Sequence, residues 1–183
     1  MKEETCLILD FLPNGYADRR KSEPIAQAIG TSYFSLLELV PREGINITPE
    51  EEVYIGDGKR DKIRFIRGQI EYDKLTNMAK TVVHDVVEKL AQRNEQRFVE
   101  FFNKASTITP RMHQFQLLPG IGKKHLMDIL DERRKKPFQS FQDIKDRVKL
   151  FPDPLKTVVA RIIQELEGNE KYYIFTQRPF KRF

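Results

Sequence analysis

An α+β fold is predicted for this chain of 183 residues: a small N-terminal antiparallel β-barrel, then helices, then a C-terminal domain of short paired helices. Three observations predict it. Residues 1–72 hold short runs rich in β-branched and aromatic residues, separated by turn residues. After Asp73 the apolar residues recur at three and four positions instead of two. From Thr107 onward the amphipathic stretches are short and punctuated by Pro or Gly.

The strands are read at Thr5 to Leu12, Tyr33 to Val40, Val53 to Ile55 and Ile63 to Tyr72, with a weaker one at Pro24 to Ile29. Pro13-Asn14-Gly15, Gly30, Pro41 to Gly44 and Gly56-Asp57-Gly58 supply the turns. So many short strands in so few residues suit a closed barrel, which removes exposed sheet edges. An OB-like barrel is preferred, an SH3-like one the alternative. Strict alternation in the last strand puts Lys62, Arg64 and Ile66 on one face and Ile63, Phe65 and Arg67 on the other. Lys59, Arg60, Lys62, Arg64 and Arg67 thus form a secondary candidate surface for nucleic acid, or a solvated strand face. Tyr33, Phe34, Tyr54 and Tyr72 either stack bases or fill the core.

Leu75, Met78, Ala79, Val82, Val83, Val86 and Leu90 line one face of a helix. Asn94 breaks it, and Phe98, Phe101, Phe102 and Ala105 line a second, so residues 73–106 read as helices connecting the barrel to residues 107–183. There, Thr109-Pro110 offers an N-cap and first-turn proline to a helix carrying Met112, Phe115 and Leu118. After the turn Pro119 to Gly122 comes a helix with Leu126, Ile129 and Leu130 inward, ending near Arg133 to Lys136. Ser140 with Asp143 starts a third, holding Phe141, Ile144 and Val148. Asp153-Pro154 opens a fourth, stopped by Gly168, and Tyr172 to Phe175 reads as a strand-like tail.

The net charge of +5 is unevenly spread: −3 in residues 1–72, +1 in 73–106 and +7 in 107–183. A basic C-terminal part attracts polyanions and makes their binding salt-dependent. No window is long and apolar enough for a membrane span, and Met1-Lys2-Glu3-Glu4 lacks the basic start of a signal peptide, so a cytoplasmic protein without membrane partners is expected. Cys6 is the single cysteine, and His84, His113 and His125 are mutually isolated, so neither a disulfide nor a metal site is expected. No Ser/His/Asp arrangement, Walker loop or dinucleotide fingerprint points to an enzyme or a cofactor, and no catalytic residue is assigned.

The segment with a chemical signature is Leu118-Pro119-Gly120-Ile121-Gly122-Lys123-Lys124. Two glycines permit a tight turn and remove side chains that would hold a phosphate off the main chain. Ile121 between them plugs the gap where helices cross. The amides of Gly120 to Lys123 then sit at a helix N-terminus, where unpaired N–H groups and the helix dipole favour an anion, and Lys123 and Lys124 add charge. With its flanking helices, this segment resembles the helix-hairpin-helix family of DNA- and RNA-binding proteins. The resemblance implies sequence-independent backbone binding by Gly120, Ile121, Gly122, Lys123 and Lys124. The second turn, Leu150-Phe151-Pro152-Asp153-Pro154, has no glycines, and its prolines donate no amide, so the second hairpin is degenerate.

The whole order, with Val53-Tyr54-Ile55-Gly56, Arg97-Phe98-Val99-Glu100-Phe101-Phe102-Asn103 and Leu117 to Lys124, resembles an uncharacterised archaeal family that joins an OB-like domain to a helix-hairpin-helix domain. That resemblance implies nucleic-acid binding, with RNA favoured over DNA because some members are encoded near translation genes. Two other classes remain. One is a repair-type enzyme such as a glycosylase, in which a carboxylate beyond the hairpin assists; Asp143 falls in that region, although it also has a helix to start. The other is a protein-interaction module of a nucleoprotein complex.

Overall fold

In the computed structural model, which describes residues 2–17 and 22–178, the N-terminal runs form five strands: β1 (Thr5–Leu12), β2 (Ile25–Gly30), β3 (Leu36–Pro41), β4 (Glu52–Tyr54) and β5 (Ile63–Gln69). Every ladder is antiparallel, in the order β4-β1-β2-β3-β5. Cys6, Ile8, Ala26, Ala28, Leu37, Leu39, Val53 and Ile63 turn to one face and pack with Ile47 and Ile55 into a core. Burial drives the Cys6 thiol pKa far up, consistent with a packing role. Register shifts at Ile8/Asp10, Glu38/Leu39 and Val40/Pro41 bend the strands and curl the sheet into a half-barrel.

Two expectations need correction here. The sheet does not close through backbone pairing, because β4 has only three residues and pairs with β1 alone, which leaves β4 and β5 as edges. Side chains span the gap instead: Lys62, just before β5, forms an ion pair with Glu51, just before β4. Nor does β5 alternate strictly. Val40 faces Phe65 and Pro41 faces Ile63, so Arg64 is an extra residue in the ladder. Ile63 is therefore fully buried while Phe65 is 38% exposed, and Ile66 returns to the core.

The molecule divides into two compact units, Met1–Val86 with Gln164–Phe183, and Val87–Ile163. In the first, the buried Glu3 carboxylate accepts the amides of Ser32, Tyr33 and Ser35 and fixes the turn from β2 to β3. A Cβ on Gly30 would lie 2.0 Å from that carboxylate, which explains the glycine. Helix α1 (Asn77–Arg93) starts where the Thr76 hydroxyl donates to Asp10 and accepts from the Ala79 amide. Its buried residues in this unit are Ala79, Val83 and Val86, and beyond the unit boundary Val87, Leu90 and Ala91; Met78, expected inward, is 55% exposed. The tail forms no strand through Tyr172–Phe175, because the amides of Ile174, Phe175 and Thr176 donate to the buried Glu165 carboxylate. Residues 179–183 of that tail lie outside the described residues.

In the second unit, Asn94 ends α1 and α2 (Glu95–Lys104) follows, with Phe98, Val99 and Phe102 buried. The helix expected after Thr109-Pro110 is largely absent. Thr107–Thr109 is β-branched throughout and pairs with Met112–His113 as the two-stranded hairpin β6-β7, so Pro110 occupies its turn. Only a short 3-10 helix, Gln114–Leu117, remains. Helices α3 (Lys123–Lys135), α4 (Phe141–Arg147) and α5 (Pro154–Glu167) form as expected, and α5 runs on across the unit boundary. Ser140 caps α4 by accepting the Asp143 amide, and Gly168 closes α5 with φ of +81°. Among the described residues no helix is long and apolar enough to cross a membrane.

His113 starts the 3-10 helix: its Nδ1 accepts the Phe115 amide at 3.1 Å, and Gln116 accepts the His113 amide. An accepting Nδ1 carries no proton. Burial pushes the imidazole pKa below its ordinary 6.5, and the Arg133 guanidinium adds to the effect. At this imidazole the folded state binds fewer protons than the unfolded one, so its contribution to stability is fully present above 6.5 and is lost as pH falls from there through the folded-state pKa. His113→Asn keeps an acceptor for the cap without titrating. Its melting temperature is expected to fall less than the parent's on acidification; equal falls would contradict this.

Candidate nucleic-acid interface

The site lies wholly within the second unit. At the end of the 3-10 helix, Leu118-Pro119-Gly120-Ile121 makes a turn closed by the Ile121 amide donating to the Leu118 carbonyl at 3.2 Å. Proline at its second position and glycine at φ +79° at its third suit this geometry, which an L side chain rarely adopts. Ile121 is buried, at 9% exposed. Its amide is spent on the turn, so Ile121 does not donate to a ligand.

Gly122 is the N-cap of α3, with φ −91° and ψ −178°, and no side chain caps the helix. The amides of Gly120, Gly122, Lys123 and Lys124 find no acceptor among the described residues. A Cβ on Gly122 would meet nothing within 4 Å, so the main chain there is open to an approaching group. Lys123 and Lys124 are exposed and form no ion pair among the described residues. The sequence-predicted residues are thereby brought together, with Ile121 as support for the others.

The two glycines differ in their structural roles. A Cβ on Gly120 would sit 3.5 Å from Pro152 Cγ, an ordinary contact, so Gly120→Ala suffers mainly from its positive φ. The cost is about 1 kcal/mol. A thermal midpoint lower than the parent's by several degrees checks this, and an unchanged or raised midpoint contradicts it.

The remaining basic residues are largely engaged. Arg133 donates to the carbonyls of Phe102 and Ala105, and Arg147 to those of Glu132 and Lys136. Arg134 pairs with Asp131 and Lys135 with Glu132. Asp143 accepts the Gln139 amide and pairs with Arg147, so its carboxylate is occupied in building α4. In the second turn, Asp153 accepts the Lys156 amide and Lys145 lies 3.8 Å away, so this helix start carries its own anion.

The half-barrel candidates are less available, taken within their own unit. Arg60 donates to the Gly56 carbonyl, Lys62 pairs with Glu51, and Arg67 pairs with both Glu38 and Glu23. Lys59 is exposed, and Arg64 is exposed with its guanidinium 5.8 Å from the Phe65 ring centre. Among the aromatics, Phe34 is core, Tyr54 is 39% exposed, and Tyr33 and Tyr72 are half-buried. Desolvation by burial, with help from Glu167, raises the Tyr72 pKa.

A family model described as a protein of unknown function (DUF655) matches residues 2–177. An uncharacterised protein of Methanocaldococcus jannaschii is 41% identical over 177 residues, covering 96% of this chain and 80% of that protein. The crystal structure of a protein from Archaeoglobus fulgidus, ascribed to the same family, superimposes with a TM-score of 0.87 at 42% identity, covering 96% of this chain and all of that one.

Proposed function

We propose that this chain, which belongs to the DUF655 family of proteins of unknown function, binds nucleic acid without catalysing a reaction on it. The grip is a helix-hairpin-helix turn, in which phosphate oxygens accept from the amides of Gly122, Lys123 and Lys124 while the two lysine side chains neutralise charge. One observation carries the reading: amides uncapped and lysines unpaired among the described residues coincide with an open glycine at the start of α3. A plain connector between helices needs none of these together. Contacts to phosphate read no base edges, so binding is largely independent of sequence. RNA is the preferred ligand over DNA on the family resemblance alone.

Gly122→Thr tests the reading without adding charge. Threonine is as good an N-cap as glycine, and the extended backbone and open space at Gly122 accept it, so the variant is expected to fold as stably as the parent. Its hydroxyl takes a first-turn amide and its bulk blocks the main chain. Affinity for a panel of single- and double-stranded RNA and DNA is expected to fall about ten-fold or more. Parental affinity in a folded Gly122→Thr variant would refute main-chain phosphate binding.

A further inference from the structure

We propose that Leu150 is a wedge: while the glycine turn holds a phosphate, the Leu150 side chain enters the stack between adjacent bases of a double-stranded nucleic acid. The inference rests on the reading of the glycine turn just given and concerns the turn beside it.

The second turn repeats the first. Phe151 donates its amide to the Val148 carbonyl at 3.3 Å, as Ile121 does to Leu118 at 3.2 Å. Phe151 and Ile121 are both buried plugs, 8% and 9% exposed. The third position is Gly120 with φ +79° in one turn and Leu150 with φ +57° in the other. Leucine therefore stands where the geometry favours glycine, in a conformation that is strained for a side chain of its size. Strain of this kind persists where the surroundings fix it, and here they do. The His125 ring Nε2 lies 3.0 Å from the Leu150 carbonyl, and the His125 ring packs edge-on to Phe151 at 5.7 Å.

The strained residue is also turned outward. Leu150 is 86% exposed, the most exposed large apolar side chain among the described residues. It sits next to the phosphate cradle, since a Cβ on Gly120 would lie 3.5 Å from Pro152 Cγ in the same second turn. Lys149, Lys123 and Lys124 are exposed and without ion pairs among the described residues. An apolar tip among cations matches a ligand that is anionic at its rim and apolar inside, which describes a base stack bordered by phosphates. The second turn has little else to offer that ligand, because Pro152 and Pro154 lack amide protons and Asp153 is an anion that caps α5. Apolar side chains inserted between base steps unstack and kink a duplex. Leucine has no π-face, so stacking on single-stranded bases does not account for it.

The test uses the full chain and RNA and DNA duplexes carrying 2-aminopurine at a central step, whose fluorescence rises on unstacking. The parent is expected to raise the signal roughly two-fold or more at saturation. Leu150→Ala and Leu150→Gly are expected to bind within about ten-fold of the parent with almost no rise. Leu150→Gly relaxes the backbone, so its folding is secure and its thermal midpoint equals or exceeds the parent's. A parent that binds the duplexes through Lys123 and Lys124 but leaves the fluorescence unchanged overturns the wedge alone, as does an unaltered rise with Leu150→Gly. A parent that binds no nucleic acid overturns both the wedge and the glycine-turn reading.

Discussion

Reversing both charges beside the glycine turn, Lys123→Glu with Lys124→Glu, is expected to lower affinity for all nucleic-acid sequences alike, by on the order of 100-fold at moderate salt. Both side chains are exposed and unpaired among the described residues, so the fold keeps its contacts and the loss belongs to binding. Each phosphate contact contributes about 0.7 to 0.9 to the slope of log affinity against log salt, so the variant's slope is shallower by roughly one and a half. Lys156, beside the turn already occupied by Asp153, is expected to matter less when reversed. A folded double variant with parental affinity and slope would remove the glycine turn from the account. Arg64 and Lys59 on the half-barrel, which form no ion pair among the described residues, would then be the remaining candidates.

The largest effect on stability is expected from Phe115→Ala, at about 3 to 5 kcal/mol. Phe115 is fully buried at the start of the 3-10 helix that leads into the glycine turn. Its ring stacks on Phe102 at 5.6 Å and on His113 at 4.8 Å, and meets Phe101 edge-on at 5.7 Å. Truncation leaves a cavity among aromatic rings with little freedom to close it. Against a total stability of about 5 to 15 kcal/mol, such a loss populates unfolded states of the second unit and with them a disordered glycine turn. Calorimetry or denaturant unfolding would show it; a loss below about 1 kcal/mol would mean the ring is not the buttress described.

Composition located the five strands because β-branched runs and glycine-rich turns are local signals, and β1 spans the same residues in both readings. Closure was not legible, since it depends on how far a three-residue β4 can pair. The extra residue at Arg64 was equally hidden: a register shift is decided by the partner strand, which periodicity within β5 cannot report. Thr109-Pro110 misled for a related reason. A cap-and-proline pair also suits a hairpin turn, and the choice was made by pairing of Thr107–Thr109 with Met112–His113. The turn from Leu118 to Ile121 was legible because proline at its second position and glycine at its third are residue-type signals at fixed spacing. Leu150 was not, because the sequence shows it only as part of a glycine-free turn, and the positive φ and outward placement that distinguish it belong to the folded backbone.

Phosphate binding by main-chain amides at the start of α3 is expected to show, residue by residue, in amide nuclear magnetic resonance during titration with an RNA oligonucleotide. The amides of Gly122, Lys123 and Lys124, which have no acceptor among the described residues, are expected to shift furthest and earliest, and to do so for oligonucleotides of unrelated sequence. Shifts concentrated in Lys59 to Arg67, with Gly122 to Lys124 unmoved, would contradict the account.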